Sequence, residues 1–146
     1  MEFKTSEIVN VYKILVTSKL TKMETSDKAK VLKAMREMKP VADEWDSFLK
    51  TVDEKLQKDN HEEIIKKAQQ WQQEGEKTTL TDAEKIEINK YLIEYKKEED
   101  ECMNDELEKI VSLSFDKINE SAFEKLIDSN DWLVGDALNI EKIIKE

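Results

Sequence analysis

A long stretch of helical period dominates the pattern of apolar and polar positions in the first half of the chain. Eight apolar residues follow one another in alternating steps of four and three: Val31, Met35, Met38, Ala42, Trp45, Leu49, Val52 and Leu56. This heptad pattern predicts one long helix over residues 27–58, of the kind found in coiled coils. Pro40 lies inside it. Because the apolar stripe stays in phase on both sides, we expect Pro40 to kink the helix and not to end it.

Helix starts are indicated at four further places. A first helix is predicted to begin at Thr5 or Ser6, which would cap it, and to carry its own apolar stripe. A serine, threonine or asparagine followed three residues later by glutamate forms a capping box, and this pattern occurs at 60–63, 81–84 and 121–124. These signals predict helices that begin near each of the three sites.

The segment from Gly75 to Leu80 is the clearest loop. The helix predicted after it places Ile88, Leu92 and Tyr95 on one side. Matched apolar stripes on both sides of a short loop are typical of an antiparallel helical hairpin. We therefore expect this helix to pair with the long helix.

The apolar period changes near the end of the chain. Residues 107–115 alternate as in a strand, and residues 2–4 are the candidate partner strand. Short helices are predicted over 131–146. Their apolar residues are expected to face inwards: Trp132, Leu133, Leu138, Ile140 and Ile143. The fold class is therefore mainly α, with a long helical hairpin, a minor two-stranded β element and short C-terminal helices.

Helix length bears on the domain organisation. A helix over residues 27–58 is about 48 Å long at 1.5 Å per residue, whereas a compact chain of this size is only about 38 Å across. We expect a single elongated domain over 1–146. Its helical body would cover 5–105, and a small α+β part would cover 106–146.

Composition supports the helical interpretation. The chain has two glycines and one proline, and 40% of its residues are charged. A β-sandwich would need many more turn residues. The net charge of −10 is unevenly placed, since residues 1–39 carry +4 and residues 40–146 carry −14. An acidic body argues against direct nucleic-acid binding, which requires a basic face.

The residues that usually carry chemistry are scarce. His61 and Cys102 are each the single representative of their type, so a zinc site or a histidine-based triad has too few members. Glycines occur only at 75 and 135, which excludes a glycine-rich phosphate loop. We expect no catalytic residues, no cofactor, no metal ion and no small-molecule substrate.

Targeting signals are missing from the pattern. The first residues lack the layout of a signal peptide, and the longest apolar runs are only three residues. The single cysteine cannot form an internal disulfide. These features predict a cytoplasmic protein that does not contact membranes.

Protein–protein interaction is the function that the pattern favours. The candidate residues on the heptad helix are Val31, Met35, Met38, Trp45, Leu49 and Val52. They would mediate self-association, such as a dimer, or bind another protein, unless the chain's own helices cover them.

A second hypothesis is an acidic decoy that inhibits a nucleic-acid-binding protein of host defence. From Glu94 to Glu108 the chain has eight acids and two lysines. The candidate residues in this run are Glu98, Glu99, Asp100, Glu101 and Asp105. Such a surface would attract a basic groove, less strongly as salt rises. An uncharacterised enzyme is the third alternative.

The order of these features resembles a known group of proteins. Four segments are the basis of this resemblance: the strand-to-helix start at 3–8, the lysine-rich start of the long helix at 28–33, its continuation through 38–40, and the acidic strand at 106–115. Together they are similar to the small uncharacterised proteins encoded by tailed bacteriophages and prophages of low-GC bacteria. The resemblance covers most of the chain but includes no fixed motif. It implies an accessory, structural or host-directed role in the bacterial host cell or in the virion, and it supplies no catalytic residues.

Overall fold

The computed structural model describes residues 1–146, of which 74% are helical. Two strands and six α-helices follow one another along the chain: β1 Glu2–Lys4, α1 Thr5–Val16, α2 Thr25–Leu56, α3 His61–Glu74, α4 Asp82–Glu108, β2 Ile110–Ser112, α5 Glu120–Ser129 and α6 Val134–Ile140. The predicted fold class is therefore confirmed: mainly α, with a two-stranded antiparallel element and short C-terminal helices. Pro40 lies within α2, which does not end there.

The two strands pair as predicted, but β2 is shorter than expected. β1 is antiparallel to β2, with Phe3 opposite Val111. The predicted strand over 107–115 was wrong at both ends, because α4 continues to Glu108 and only three residues join the ladder. The alternation beyond β2 still places an apolar side chain inwards, since Phe115 stacks on Phe3 with ring centroids 5.8 Å apart.

The chain forms two compact units. Unit 1 comprises residues 1–47 and 106–146, and unit 2 comprises residues 48–105. The long helix α2 contributes its first 23 residues to unit 1 and its remaining residues to unit 2.

The core of unit 1 gathers apolar side chains from both ends of the chain. Its buried members are Phe3, Ile8, Val11, Leu15, Met23, Val31, Ala34, Met38, Leu113, Phe115, Ile118, Ala122, Phe123, Leu126, Ile140, Ile143 and Ile144. A parallel bridge between Ile118 and Ile144 fastens the C-terminal residues to the segment before α5. Ionic contacts are peripheral, as in the pair of Lys4 with Glu108 at 2.8 Å, where both side chains are well exposed.

Unit 2 has a much smaller core. Ile64 of α3 packs with Ile88 and Tyr91 of α4, and half-buried side chains surround them: Ala68, Trp71, Leu80 and Tyr95. The hairpin that closes at the predicted loop therefore has α3 as its first arm, since residues 57–60 separate α3 from α2.

Only one of the three predicted capping boxes forms. The Thr81 amide donates to the Glu84 carboxylate at 3.2 Å, and the Glu84 amide donates to the Thr81 hydroxyl at 3.1 Å. The hydrogen bond from the Thr81 amide is the main reason why the pKa of Glu84 is lowered from its ordinary value of 4.5. Asn60 precedes α3, but its side chain accepts no capping hydrogen bond. The box predicted at 121–124 was wrong, because α5 begins at Glu120 and Asn119 caps it.

The start of α1 also differs from the prediction. Thr5 is its first helical residue, and Lys4 occupies the capping position. The Lys4 amide donates to the Glu7 carboxylate at 2.9 Å. The Thr5 hydroxyl instead donates to the carbonyl oxygen of Lys109 at 3.0 Å. Thr5 is buried, so its hydroxyl finds its partner within unit 1 and is not available as a cap.

Candidate interaction surfaces

The part of the heptad stripe in unit 1 is covered by the chain itself. Val31 and Met38 are buried in the core, and Met35 packs half-buried against it. Trp45 is also buried. Apolar burial of this kind stabilises the fold. These four side chains therefore do not form a free docking face in this conformation.

The last part of the stripe belongs to unit 2. Val52 is buried, and Leu49 is half-buried. The heptad spacing correctly indicated which side of α2 is apolar. It could not indicate whether another molecule or the chain's own helices cover that side.

The five acidic candidates all lie on α4. Glu98 and Glu99 are half-buried, whereas three are exposed: Asp100, Glu101 and Asp105. Asp100 is paired with Lys96 at 3.1 Å. Glu101 and Asp105 make no ion pair, so their carboxylates face solvent uncompensated.

The two most exposed large apolar side chains lie at the start of α6. Leu133, Val134 and Leu138 are 75%, 78% and 55% exposed; we call these three residues the C-terminal patch. The prediction that Leu133 and Leu138 face inwards was wrong. α6 has only seven residues, and it packs on the core through Ala137 and Ile140, which leaves its other side uncovered.

Hydrogen bonds hold the segment before the patch against the end of α1. The Trp132 indole N–H donates to the Ser18 hydroxyl at 3.0 Å. The Asn130 side chain accepts from the Lys19 amide at 2.7 Å and donates to the Lys19 carbonyl at 2.9 Å. The Leu133 amide donates to the Asp136 carboxylate at 3.1 Å. The C-terminal patch is thus presented on a hydrogen-bonded support.

A groove lies beside this support. Its volume is about 390 Å³, and its walls are Lys13, Ile14, Thr17, Asn130, Asp131, Trp132 and Asp136. The lining combines one cation, two acids and an indole ring. It offers side-chain hydrogen-bonding groups, and its lining residues Asp131 and Trp132 directly precede Leu133 of the patch.

A second feature, which the sequence did not indicate, is an aromatic and polar cluster in unit 2. His61 Nδ1 lies 2.6 Å from the Tyr91 hydroxyl oxygen. The His61 ring also lies 5.4 Å from the Tyr95 ring, centroid to centroid. The Tyr95 hydroxyl donates to the Asp53 carboxylate at 2.9 Å. We name Asp53, His61, Tyr91, Tyr95 and Glu99 the tyrosine cluster; Glu99 is included because the neighbouring Asp53 raises its pKa.

Two groups of the tyrosine cluster have shifted pKa values. Burial, together with the hydrogen bond to Asp53, raises the pKa of Tyr95 to about 12. The neighbouring Asp53, together with partial burial, raises the pKa of Glu99 above 4.5. Both shifts make the charged form less favourable than it is for the free side chain. His61 is half-buried and contacts two tyrosines.

No three histidine, cysteine, aspartate or glutamate side chains converge in a way that could hold a metal ion. Cys102 carries a free thiol and is half-buried. None of the helices combines the length and the apolar character needed to cross a bilayer.

Comparison of the chain with protein-family models, with curated proteins and with solved structures gave no significant match in any of the three. The surfaces of the chain are therefore the guide to its function.

Proposed function

We propose that the chain is a non-enzymatic accessory protein that acts by binding another protein. The observation that supports this proposal is the C-terminal patch, where three large aliphatic side chains are exposed within six residues. Burying apolar surface is worth about 25 cal/mol per Å². A patch of this kind on a protein surface is typical of a binding site for another macromolecule.

The hydrogen-bonded support of the patch favours this role. The segment that carries Leu133 is held to α1 through Trp132 and Asn130. A surface that is already ordered loses little conformational entropy when a partner binds. The patch thus replaces the heptad stripe as the preferred contact surface, because most of the stripe is buried in the chain. The resemblance to phage and prophage proteins fits an accessory role of this kind.

Affinity capture with matched surface variants tests the proposal. The bait would be wild-type protein, Leu133→Lys/Leu138→Lys protein, or a control in which two exposed isoleucines of α4 are changed, Ile86→Lys/Ile93→Lys. Ile86 and Ile93 are 68% and 69% exposed, so both variants add equal charge at solvated sites. We expect one protein to be recovered with wild type and control from cells that encode the chain, and to be lost with the patch variant. Recovery that is equal with all three baits would contradict the proposal.

Self-association through the same patch is tested separately. Light scattering after size-exclusion chromatography gives the solution mass, which is 17.2 kDa for one chain. A dimer that persists at high salt and is abolished by L133K/L138K would make a second copy the partner. A monomer under all conditions directs the search to a different protein.

An acidic decoy is the second candidate. The observation that favours it is the exposure of Glu101 and Asp105 without an ion pair. Binding of a basic partner through such charges weakens with rising salt, because the Debye length falls from about 10 Å at 0.1 M to about 3 Å at 1 M. A captured partner whose Kd changes little over that range would count against the decoy function and in favour of the apolar patch.

A further inference from the structure

A groove with a volume of about 430 Å³ in unit 1 is lined by three lysines. They come from three separate segments: Lys30 from α2, Lys117 from the segment before α5, and Lys145 from the end of the chain. The other lining residues are Phe115, Asp116 and Asn119. We call this site the lysine groove. Its volume lies within the range of about 300–1,000 Å³ that is usual for small-molecule sites.

Backbone hydrogen bonds hold two of the lysines in place. The Lys145 amide donates to the Ile118 carbonyl oxygen at 2.7 Å, and the Ile118 amide donates to the Ile143 carbonyl oxygen at 3.1 Å. Ile118 and Ile143 are buried in the core of unit 1. The backbone that carries Lys117 and Lys145 is therefore tied to that core, and the lysine groove has an ordered frame.

None of the three ammonium groups has a carboxylate partner. Lys30, Lys117 and Lys145 take part in no ion pair of the chain. Lys30 and Lys117 are half-buried, where like charges repel one another more strongly than in open water. Asp116 is the one acid in the lining. Three cations and one anion give the groove a formal charge of +2, although the whole chain has a net charge of −10.

The start of α5 adds to the positive potential. Asn119 lines the groove and caps α5, where its side-chain oxygen accepts from the Ala122 amide at 2.8 Å. The N-terminus of a helix carries a partial positive charge of about +0.5. The carboxylate of Glu120 offsets part of this charge, but Glu120 is exposed and does not line the groove. The three lysines thus remain the main source of the potential.

We propose that the lysine groove binds a phosphate ion or a small phosphorylated molecule through its phosphoryl group. A phosphoryl group carries about −1.5 to −2 charges at pH 7, which matches the formal charge of the groove. Lysine binds phosphate as a compact point charge. A single carboxylate would neutralise only half of the groove. No histidine, cysteine or serine lines it, so the proposal concerns binding and includes no reaction.

The acidic remainder of the chain favours a small ligand over a long polyanion. Residues 40–146 carry −14, and a nucleic acid that extends beyond the groove would meet this charge. A small phosphorylated molecule experiences mainly the local field, because the Debye length is about 8 Å at physiological ionic strength. The lysine groove shares no residue with the C-terminal patch, so this inference does not rest on the proposed function.

Titration of the isotope-labelled full chain with inorganic phosphate tests the site by nuclear magnetic resonance. Sodium chloride keeps the ionic strength constant, and acetate serves as the carboxylate probe. We expect saturable shifts of the amides of residues 116–120 and 145 with phosphate, and at least about threefold weaker binding of acetate, which carries half the charge. Shifts that do not saturate at these residues, or equal affinity for acetate, would overturn the proposal.

Removal of two lysines tests which charges bind the phosphate. An ion contact at a partly exposed site contributes up to about a factor of five in affinity, so we expect Lys30→Gln/Lys145→Gln to weaken phosphate binding about tenfold. The matched control is Lys50→Gln/Lys90→Gln, which removes the same charge from two exposed, unpaired lysines outside unit 1. We expect the control to stay within about twofold of wild type, since charges beyond a Debye length are screened. An equal loss in both variants would contradict a local site.

Replacement of the single acid in the groove supplies a variant that gains affinity, a result that misfolding cannot produce. We expect Asp116→Asn to bind inorganic phosphate about threefold more tightly, because it removes the like charge beside the ligand. Glu37→Gln, at an exposed and unpaired position of α2, is the control and should leave the affinity unchanged. Unchanged or weaker binding by D116N would count against the site. Glycerol phosphate then distinguishes the two sources: tighter binding than inorganic phosphate assigns the groove to a phosphate ester, and equal or weaker binding assigns it to the free ion.

Discussion

At the scale of single residues, the contacts of a few polar side chains decide where helices begin. Asn119 accepts a hydrogen bond from the Ala122 amide at 2.8 Å. Ser121, which the capping-box pattern favoured, lies inside the first turn of α5 instead. Both residues are acceptable caps by type. Residue type therefore does not distinguish the two possible caps. The path of the chain before α5 determines that Asn119 is the cap.

Replacing Asn119 and Ser121 separately shows which of the two residues caps α5. We expect Asn119→Ala to lower the free energy of unfolding by about 1 kcal/mol, since it leaves an amide at the start of α5 without its acceptor. Ser121→Ala should change it by less than about 0.5 kcal/mol. Urea titration followed by circular dichroism measures both. A larger loss from S121A than from N119A would contradict the assignment of the cap.

At the scale of elements, the long helix carries a residue that is unfavourable in its interior. Pro40 has no amide hydrogen for the helical hydrogen bond, and its ring crowds the preceding turn. It is exposed, whereas the neighbouring turns place Met38 and Ala42 inside. Apolar burial on both sides keeps α2 continuous, as the unbroken phase of the stripe predicted.

Relieving this defect should stabilise the protein. We expect Pro40→Ala to raise the free energy of unfolding by about 1–3 kcal/mol, a gain reduced by the greater freedom of the unfolded chain. Lys33→Ala, at an exposed position of the same helix, is the control and should change it by less than about 0.5 kcal/mol. Denaturant titration provides the values. Destabilisation by P40A would contradict this expectation.

Elements were predictable where the pattern was long and uncertain where it was short. Eight apolar positions in phase identified α2 to within two residues at each end. The alternation at 107–115 has the length of one strand, but a few residues of such a pattern fit a helix end equally well, and α4 extends into them. In α6 the period correctly placed Ile140 inside, yet it could not show that Leu138 has no covering neighbour.

The interaction surfaces were less predictable than the elements. Periodicity identifies an apolar face, but whether that face is buried depends on contacts distant in sequence. The spacing of the heptad residues predicted an interaction face, but most of these residues are buried. The tyrosine cluster joins Asp53, His61 and Tyr95, which are brought together only when three helices of unit 2 pack, and no local signal marks them.

At the scale of the whole molecule, the two units differ in their cores. Seventeen buried side chains form the core cluster of unit 1, compared with three in unit 2. Because apolar burial is the main stabilising contribution to folding, we expect amides of α3 to exchange faster than those of α5. Native-state hydrogen exchange with mass spectrometry measures the difference. Equal protection of the two helices would indicate that the units open together.

The pairing of β1 with β2 has a consequence for synthesis of the chain on the ribosome. The two strands are separated by more than one hundred residues, and closing a loop of that length costs on the order of 4 kcal/mol in entropy. Phe3 and the rest of β1 are synthesised before β2, and their partners follow about 5–20 s later. Unit 2 is continuous in sequence and is synthesised during that interval. The nascent N-terminal segment must keep its apolar side chains from aggregating until residues 106–146 emerge.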